Sequence, residues 1–127
     1  MSAKTVMTIV GVISIIEGIA FYVGAEQITR GAFPLLTGNA LEVGTIMHEA
    51  MASAMVAIGV LILFLRDNTG VAAKKSLQGI AGANSIFLIG GLIHLVNSPA
   101  KPPLPALGLL VVIIAACLVS AQKVKVD

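Results

Sequence analysis

The sequence predicts an all-α fold, a four-helix bundle that is integral to a membrane, with both termini in the cytoplasm. Hydrophobic residues make up 57% of the 127 residues and charged residues only 11%, whereas a soluble domain carries about 25% charged residues. The mean hydropathy of +1.03 agrees with this bias. The apolar residues form four long runs, and most charges lie between them. Such a chain has lipid rather than water around most of its surface.

Each of the four apolar runs has about the 20 residues that a helix needs to cross some 30 Å of hydrocarbon. We predict one domain over residues 1–127, with spans at 5–24, 41–65, 77–96 and 105–121. Charged residues mark their ends, since Arg66 follows the second span and Lys74 and Lys75 precede the third. Glu17 interrupts the first run, which argues against a cleaved secretory signal and predicts a true span.

The basic residues predict how the spans are oriented. If the termini share a side with the loop between the second and third spans, that side holds six basic residues: Lys4, Arg66, Lys74, Lys75, Lys123 and Lys125. Only Arg30 and Lys101 fall on the opposite side. Basic loops stay in the cytoplasm, so we expect cytoplasmic termini and an outward-facing connection over residues 25–40. The expected location is a prokaryotic plasma membrane, crossed several times.

Small residues predict where spans approach each other closely, because they let helix backbones come together in lipid. They form stripes in the first three spans: Gly11, Ser14 and Gly18; Ala50, Ala54 and Ala57; Gly79, Ala83, Gly90 and Gly91. The fourth span is rich in Val, Ile and Leu instead. We expect it to be the most lipid-exposed helix or a partner-binding one. It contains Cys117, the single cysteine, so the chain forms no intramolecular disulfide.

Five polar side chains inside the spans are the candidate functional site: Glu17, His48, Glu49, Asn84 and His94. Ionisable groups inside a bilayer are costly unless they are paired or hydrated, so each is a candidate by default. Counted from the outer ends of the spans at 1.5 Å per residue, the first three share a level about 10 Å deep. His94 is expected nearer the outer surface and Asn84 nearer the membrane centre.

The chemistry of these side chains leaves three interpretations open. Glu17, His48, Glu49 and His94 offer carboxylates and imidazoles, which transition metals accept, and the two histidines could hold haem. The Glu-x-x-His pattern of di-metal bundles is missing, because His48 and Glu49 are adjacent and point about 100° apart. The same residues could form a proton relay or a small-ligand pocket. They could also be a structural network, with Glu17 accepting a hydrogen bond from either histidine.

The second span carries a longer pattern. His48-Glu49 is followed by small residues and a closing arginine: Ala50, Ala52, Ala54, Ala57-x-Gly59 and Arg66. Together with the four-span layout, this pattern resembles the small DoxX-like four-helix membrane proteins over nearly the whole chain. The resemblance implies the four-helix fold. It implies no particular reaction, because the members of this group have varied roles.

The size of the chain limits the functions that it can have. Four short helices enclose little volume for a substrate, and the sequence has no nucleophile elbow, phosphate-binding loop or basic–aromatic stretch. We therefore expect neither catalysis nor a nucleic-acid partner. The expected partners are the lipid bilayer and other membrane subunits or further copies of the chain, which predicts an accessory or binding subunit of a larger membrane complex. The alternative is a metal-, haem- or quinone-linked redox protein, or a proton-coupled carrier, that uses the Glu/His cluster.

Overall fold

The computed structural model describes residues 1–97 and 104–125, and nearly all of them are helical. The helices are α1 (Ala3–Val23), α2 (Ala25–Ala32), α3 (Gly38–Leu65), α4 (Gly70–Asn97) and α5 (Leu104–Lys123). By length and composition, α1, α3, α4 and α5 are each able to cross a membrane. The all-helical class and the four span-length helices are therefore confirmed. Lys101, which was counted on the outer side, lies outside the described residues.

The helices extend beyond the apolar runs that predicted them. α3 ends at Leu65, as predicted, because the charged and polar residues after it close the run. α4, however, begins at Gly70 rather than near residue 77 and includes Lys74 and Lys75. Hydropathy marks where the apolar part of a helix begins, whereas lysine and alanine continue a helix well in water. Gly70 has φ +53°, a backbone conformation that side-chain-bearing residues rarely adopt.

The connection predicted over residues 25–40 contains a short helix, α2, which the sequence analysis missed. Ala25 and Thr29 are buried on one face of it, four residues apart. Glu26 and Arg30 lie on the exposed side, where Arg30 Nη2 is 2.7 Å from Glu26 Oε1. Such an amphipathic helix needs a neighbour for its buried face.

The chain packs as two compact units. One unit combines Met1–Val10 with Ile62–Asp127, and the other is Gly11–Leu61. We call them the first and the second unit. α4 and α5 belong to the first unit and α2 to the second, whereas α1 and α3 contribute residues to each.

The core of the first unit is formed by α4, α5 and the first turns of α1. Met7, Leu77 and Cys117, one from each helix, have no exposed surface. The buried residues of α4 repeat at helical spacing on one face: Ala73, Leu77, Ile80 and Ala81. Gly91 lies so close to Leu107 of α5 that a Cβ there would overlap Leu107 Cδ2. The predicted close approach of the third span is therefore confirmed at this glycine only. A Cβ on Gly79 or Gly90 would meet no atom within 4 Å, and Ala83 is exposed.

α5 is more enclosed than expected. It buries 28% of its apolar segment, as much as α1, whereas α4 buries 11%. Of the two expectations for the fourth span, the most lipid-exposed helix is therefore wrong, and a partner-binding helix stays a prediction. Ser120 and Ala121 follow Cys117 by three and four positions, and these small buried residues let α5 pack closely without glycine.

One end of the first unit collects the residues predicted to face the cytoplasm. Lys4 Nζ lies 2.6 Å from Asp67 Oδ1, which joins the start of α1 to the connection after α3. Ser120 Oγ near the end of α5 donates to the Met1 carbonyl oxygen at 3.5 Å. The hydrogen bond from Lys4, and then its charge, lower the pKa of Asp67 below its ordinary value. The side of the membrane on which this end lies stays a prediction.

In the second unit, α1 and α3 are in contact at two glycines. A Cβ on Gly18 would lie 2.7 Å from Val56 Cγ2 and 2.8 Å from the Ala52 carbonyl oxygen. A Cβ on Gly59 would lie 2.7 Å from the Gly11 carbonyl oxygen. The two backbones approach this closely only because both positions lack a side chain. The small-residue stripe of the first span is thus confirmed as a contact surface.

The three alanines predicted as a contact surface on the second span do not form this contact. Ala52, which has no exposed surface, and the buried Gly59 face α1 instead. Ala50, Ala54 and Ala57 are all exposed. The sequence alone shows which helix faces are small, but not whether such a face packs within the chain or outside it.

Candidate functional site

The five predicted polar residues are divided between the two units. Glu17 on α1 and His48 and Glu49 on α3 belong to the second unit. Asn84 and His94, both on α4, belong to the first unit.

His48 has the best-defined hydrogen bonds of the five. Its Nδ1 lies 2.9 Å from the Gly44 carbonyl oxygen and 3.0 Å from Thr29 Oγ1. A carbonyl oxygen only accepts, so Nδ1 carries a proton and donates it. Thr29 Oγ1 donates its own proton to the Ala25 carbonyl oxygen at 2.8 Å and therefore accepts from His48. In the neutral imidazole, Nε2 is then the unprotonated nitrogen.

Thr29 is the residue that the sequence analysis missed. Its residue surface is fully buried, and its hydroxyl ties α2 to α3 through His48. A Cβ on Gly44 would lie 2.7 Å from Thr29 Cγ2, so the two helices are in close contact at this glycine. The sequence signal of this contact is the four-residue spacing of Ala25 and Thr29 beside charged residues, and it is too short to predict a helix.

The two carboxylates are not part of this network. Glu17 and Glu49 are both partly buried. Among the side-chain hydrogen bonds of the described residues, neither carboxylate pairs with His48. The backbone carbonyl oxygen of Glu49 accepts from Ser53 Oγ at 2.9 Å. The network around His48 therefore forms with α2 rather than with the carboxylate of α1 considered in the sequence analysis.

The two candidates on α4 interact with that helix itself. Asn84 Nδ2 donates to the Ile80 carbonyl oxygen at 2.8 Å, one turn back on the same helix. His94 is exposed in the last turn of α4, where a cationic side chain is favoured by the helix dipole. Neither residue contributes a polar group to the core of the first unit.

A metal site finds no support in the structure. Residues 1–97 and 104–125 contain no group of three or more His, Cys, Asp or Glu side chains arranged to hold a metal ion. Glu17, His48, Glu49 and His94 are all within these ranges. His48 does share one feature with metal-binding histidines, because its Nδ1 is held by an oxygen acceptor. A single oriented imidazole does not make a metal site.

The second unit also has an apolar groove between α1 and α3. It has a volume of about 260 Å³ and is lined by Ile19, Tyr22, Val23, Ser53 and Val56. Two lining side chains carry a polar group, the Ser53 hydroxyl and the Tyr22 phenol. The Ser53 hydroxyl already donates to the Glu49 carbonyl oxygen. An open groove with so few polar groups suits an apolar side chain better than a polar substrate.

Comparison with known proteins identifies no relative of this chain. No protein-family model, curated protein or solved structure matches the chain significantly. The resemblance to DoxX-like membrane proteins therefore stays a prediction. The function has to be inferred from the side chains of this chain alone.

Proposed function

We propose that this chain is a multi-pass membrane protein that acts as an accessory or binding subunit of a larger membrane complex. The observation that carries the proposal is a row of exposed residues on α3, here called the alanine stripe: Val43, Met47, Ala50, Ala54, Ala57 and Leu61. They alternate four and three residues apart, the spacing with which one helix packs along another. The large residues of the row, Val43, Met47 and Leu61, are 57%, 62% and 57% exposed.

The composition of the alanine stripe favours a helix as its partner. Lipid chains are as apolar as leucine, so helices in a bilayer associate mainly through close packing. The three alanines in the middle allow a second backbone to approach. Met47 and Leu61 flank them, and methionine adapts its shape to a neighbour. Ser53 and Val56, which line the groove of the second unit, precede Ala54 and Ala57 and lie about 100° from them around α3. The stripe and the groove are therefore on neighbouring faces of that helix.

Ala54→Leu tests the proposal. A leucine in the middle of the stripe would hold the partner helix away, and we expect at least a tenfold loss of co-purifying subunit, equivalent to about 1.4 kcal/mol. Folding should be unaffected, because Ala54 is exposed. The measurement is quantitative mass spectrometry of the tagged protein purified gently from its native membrane.

Ala115→Leu is the matched control, since Ala115 is an exposed alanine in the middle of α5. It should retain the partner at the wild-type ratio. The proposal fails if both variants retain it equally. It also fails if the wild-type chain purifies only with lipid, or only with further copies of itself.

A second candidate, the proton-coupled carrier, is favoured by one observation: His48 makes its described hydrogen bonds through Nδ1 and not through Nε2. No hydrogen-bond partner of Nε2 is present among the described residues. His48→Asn separates the candidates, because an asparagine amide can replace the Nδ1 donor but not the base at Nε2. For a structural histidine, we expect His48→Asn to preserve assembly and His48→Ala to weaken it. Loss of pH-gradient-driven uptake in vesicles with His48→Asn, at unchanged assembly, would support the carrier instead.

A further inference from the structure

We infer that the first unit binds one anionic phospholipid, in a groove between the start of α1 and the end of α5. The groove has a volume of about 110 Å³ and is lined by Met1, Val6, Ala116, Val119, Ser120 and Lys123. Its lining is almost wholly apolar, and Lys123 is the one charged residue among the residues that form it. None of its residues belongs to the alanine stripe, so this inference does not depend on the proposed function.

The apolar part of the groove fits a segment of acyl chain. Val6, Ala116 and Val119 present only hydrocarbon. The Ser120 hydroxyl makes a long hydrogen bond of 3.5 Å to the Met1 carbonyl oxygen. At about 30 Å³ for a water-sized group, the groove holds about four such groups. That is the size of a short stretch of methylenes rather than of a whole lipid.

The charged part of the groove fits a phosphate. Lys123 lies in the last turn of α5 and has no carboxylate partner among the residues described. Among the described residues of the first unit, Asp67 is the one acidic residue. Its Oδ1 accepts a hydrogen bond from Lys4 Nζ at 2.6 Å. Asp67 also lies 3.7 Å from Arg66 Nε. The one described carboxylate side chain of the first unit is therefore already paired with Lys4, and Lys123 is available to an anion.

The combination of the two parts favours a phospholipid over its fragments. A free phosphate would use Lys123 but leave the groove empty. A zwitterionic lipid would fill the groove but bring no net negative charge to the lysine. Basic residues at a membrane surface each add about 1 kcal/mol to binding of anionic lipid, which corresponds to about fivefold in affinity. We therefore expect a preference of about that size for an anionic headgroup.

The test is a titration of the detergent-purified full chain with phosphatidylglycerol and with phosphatidylcholine of the same acyl chains, followed by native mass spectrometry. One phosphatidylglycerol should bind, about fivefold more tightly than phosphatidylcholine. Lys123→Gln should abolish this preference and leave phosphatidylcholine binding unchanged. Ala116→Leu should fill the groove and weaken both lipids. Lys75→Gln, the control, removes a charge from a residue that does not line the groove and should keep the preference.

Three results would overturn the inference. Equal affinity of the wild-type chain for the two lipids would remove the anionic site. Loss of the preference in Lys75→Gln as large as in Lys123→Gln would mean diffuse surface charge. Competition by glycerol phosphate as strong as by the whole lipid would mean an ion site without an acyl groove. Lys123 is exposed, so Lys123→Gln keeps the test decisive even if Ala116→Leu does not fold.

Discussion

Gly59→Ala should lower the free energy of unfolding by about 1–3 kcal/mol, the cost of overfilling a packed contact. The new Cβ would lie 2.7 Å from the Gly11 carbonyl oxygen, 2.7 Å from Ile15 Cγ1 and 3.0 Å from the Ile15 nitrogen. Two of these atoms belong to the backbone of α1. A backbone atom cannot rotate away as a side-chain tip can, so α1 and α3 would have to separate at this point.

Reversible unfolding in mixed micelles measures this effect, and Gly82→Ala is its control. Gly82 is also a glycine within a long helix, but its Cβ would have no atom within 4 Å. Alanine is a better helix former than glycine by about 1 kcal/mol, so the control should leave stability unchanged or raise it. Equal losses in the two variants would show that the α1–α3 contact does not contribute as the distances indicate.

Thr29→Val should release α2 from α3. Valine has nearly the shape of threonine but cannot accept the proton of His48 Nδ1 or donate to the Ala25 carbonyl oxygen. Because Thr29 is fully buried, water cannot easily replace the lost group. His48 Nδ1 keeps the Gly44 carbonyl oxygen as an acceptor, so the variant loses one net hydrogen bond between the helices, about 0.5–1.5 kcal/mol. We expect up to about tenfold faster hydrogen exchange at the amides of α2, with little change in α5.

Thr45→Val provides the comparison for this variant. Thr45 lies next to Gly44 on α3, but its hydroxyl donates only to the Leu41 carbonyl oxygen of the same helix, at 2.9 Å. Its loss should leave exchange in α2 at the wild-type rate. If both variants accelerate exchange in α2 alike, the Thr29–His48 hydrogen bond is not what holds that helix.

Hydropathy predicted the four long helices because a span needs about 20 apolar residues, a signal that few other structures produce. α2 was not predicted because its buried face consists of only Ala25 and Thr29. Two residues are too few to establish a helical period against the charged residues around them. The early start of α4 was missed for a related reason, since Lys74 and Lys75 ended the apolar run but not the helix.

The sequence predicted individual residues of the candidate site but not which groups they contact. His48 attracted attention because an imidazole inside a span is costly. Its actual partners, Gly44 and Thr29, are a backbone group and a hydroxyl that carry no such cost signal. The second partner also depends on α2, which had not been predicted. A sequence indicates which groups need partners, whereas the choice among partners depends on helix contacts far apart in the chain.

The complete burial of Cys117 has a practical consequence for this protein. It is the single cysteine of the chain, so the native protein offers no accessible thiol to a membrane-impermeant maleimide. A cysteine introduced at Glu42 or at Lys75, both exposed, would react alone, without prior removal of the native one. Labelling of intact cells and of inverted vesicles would then report directly whether the start of α3, at Glu42, or the start of α4, at Lys75, faces the cytoplasm.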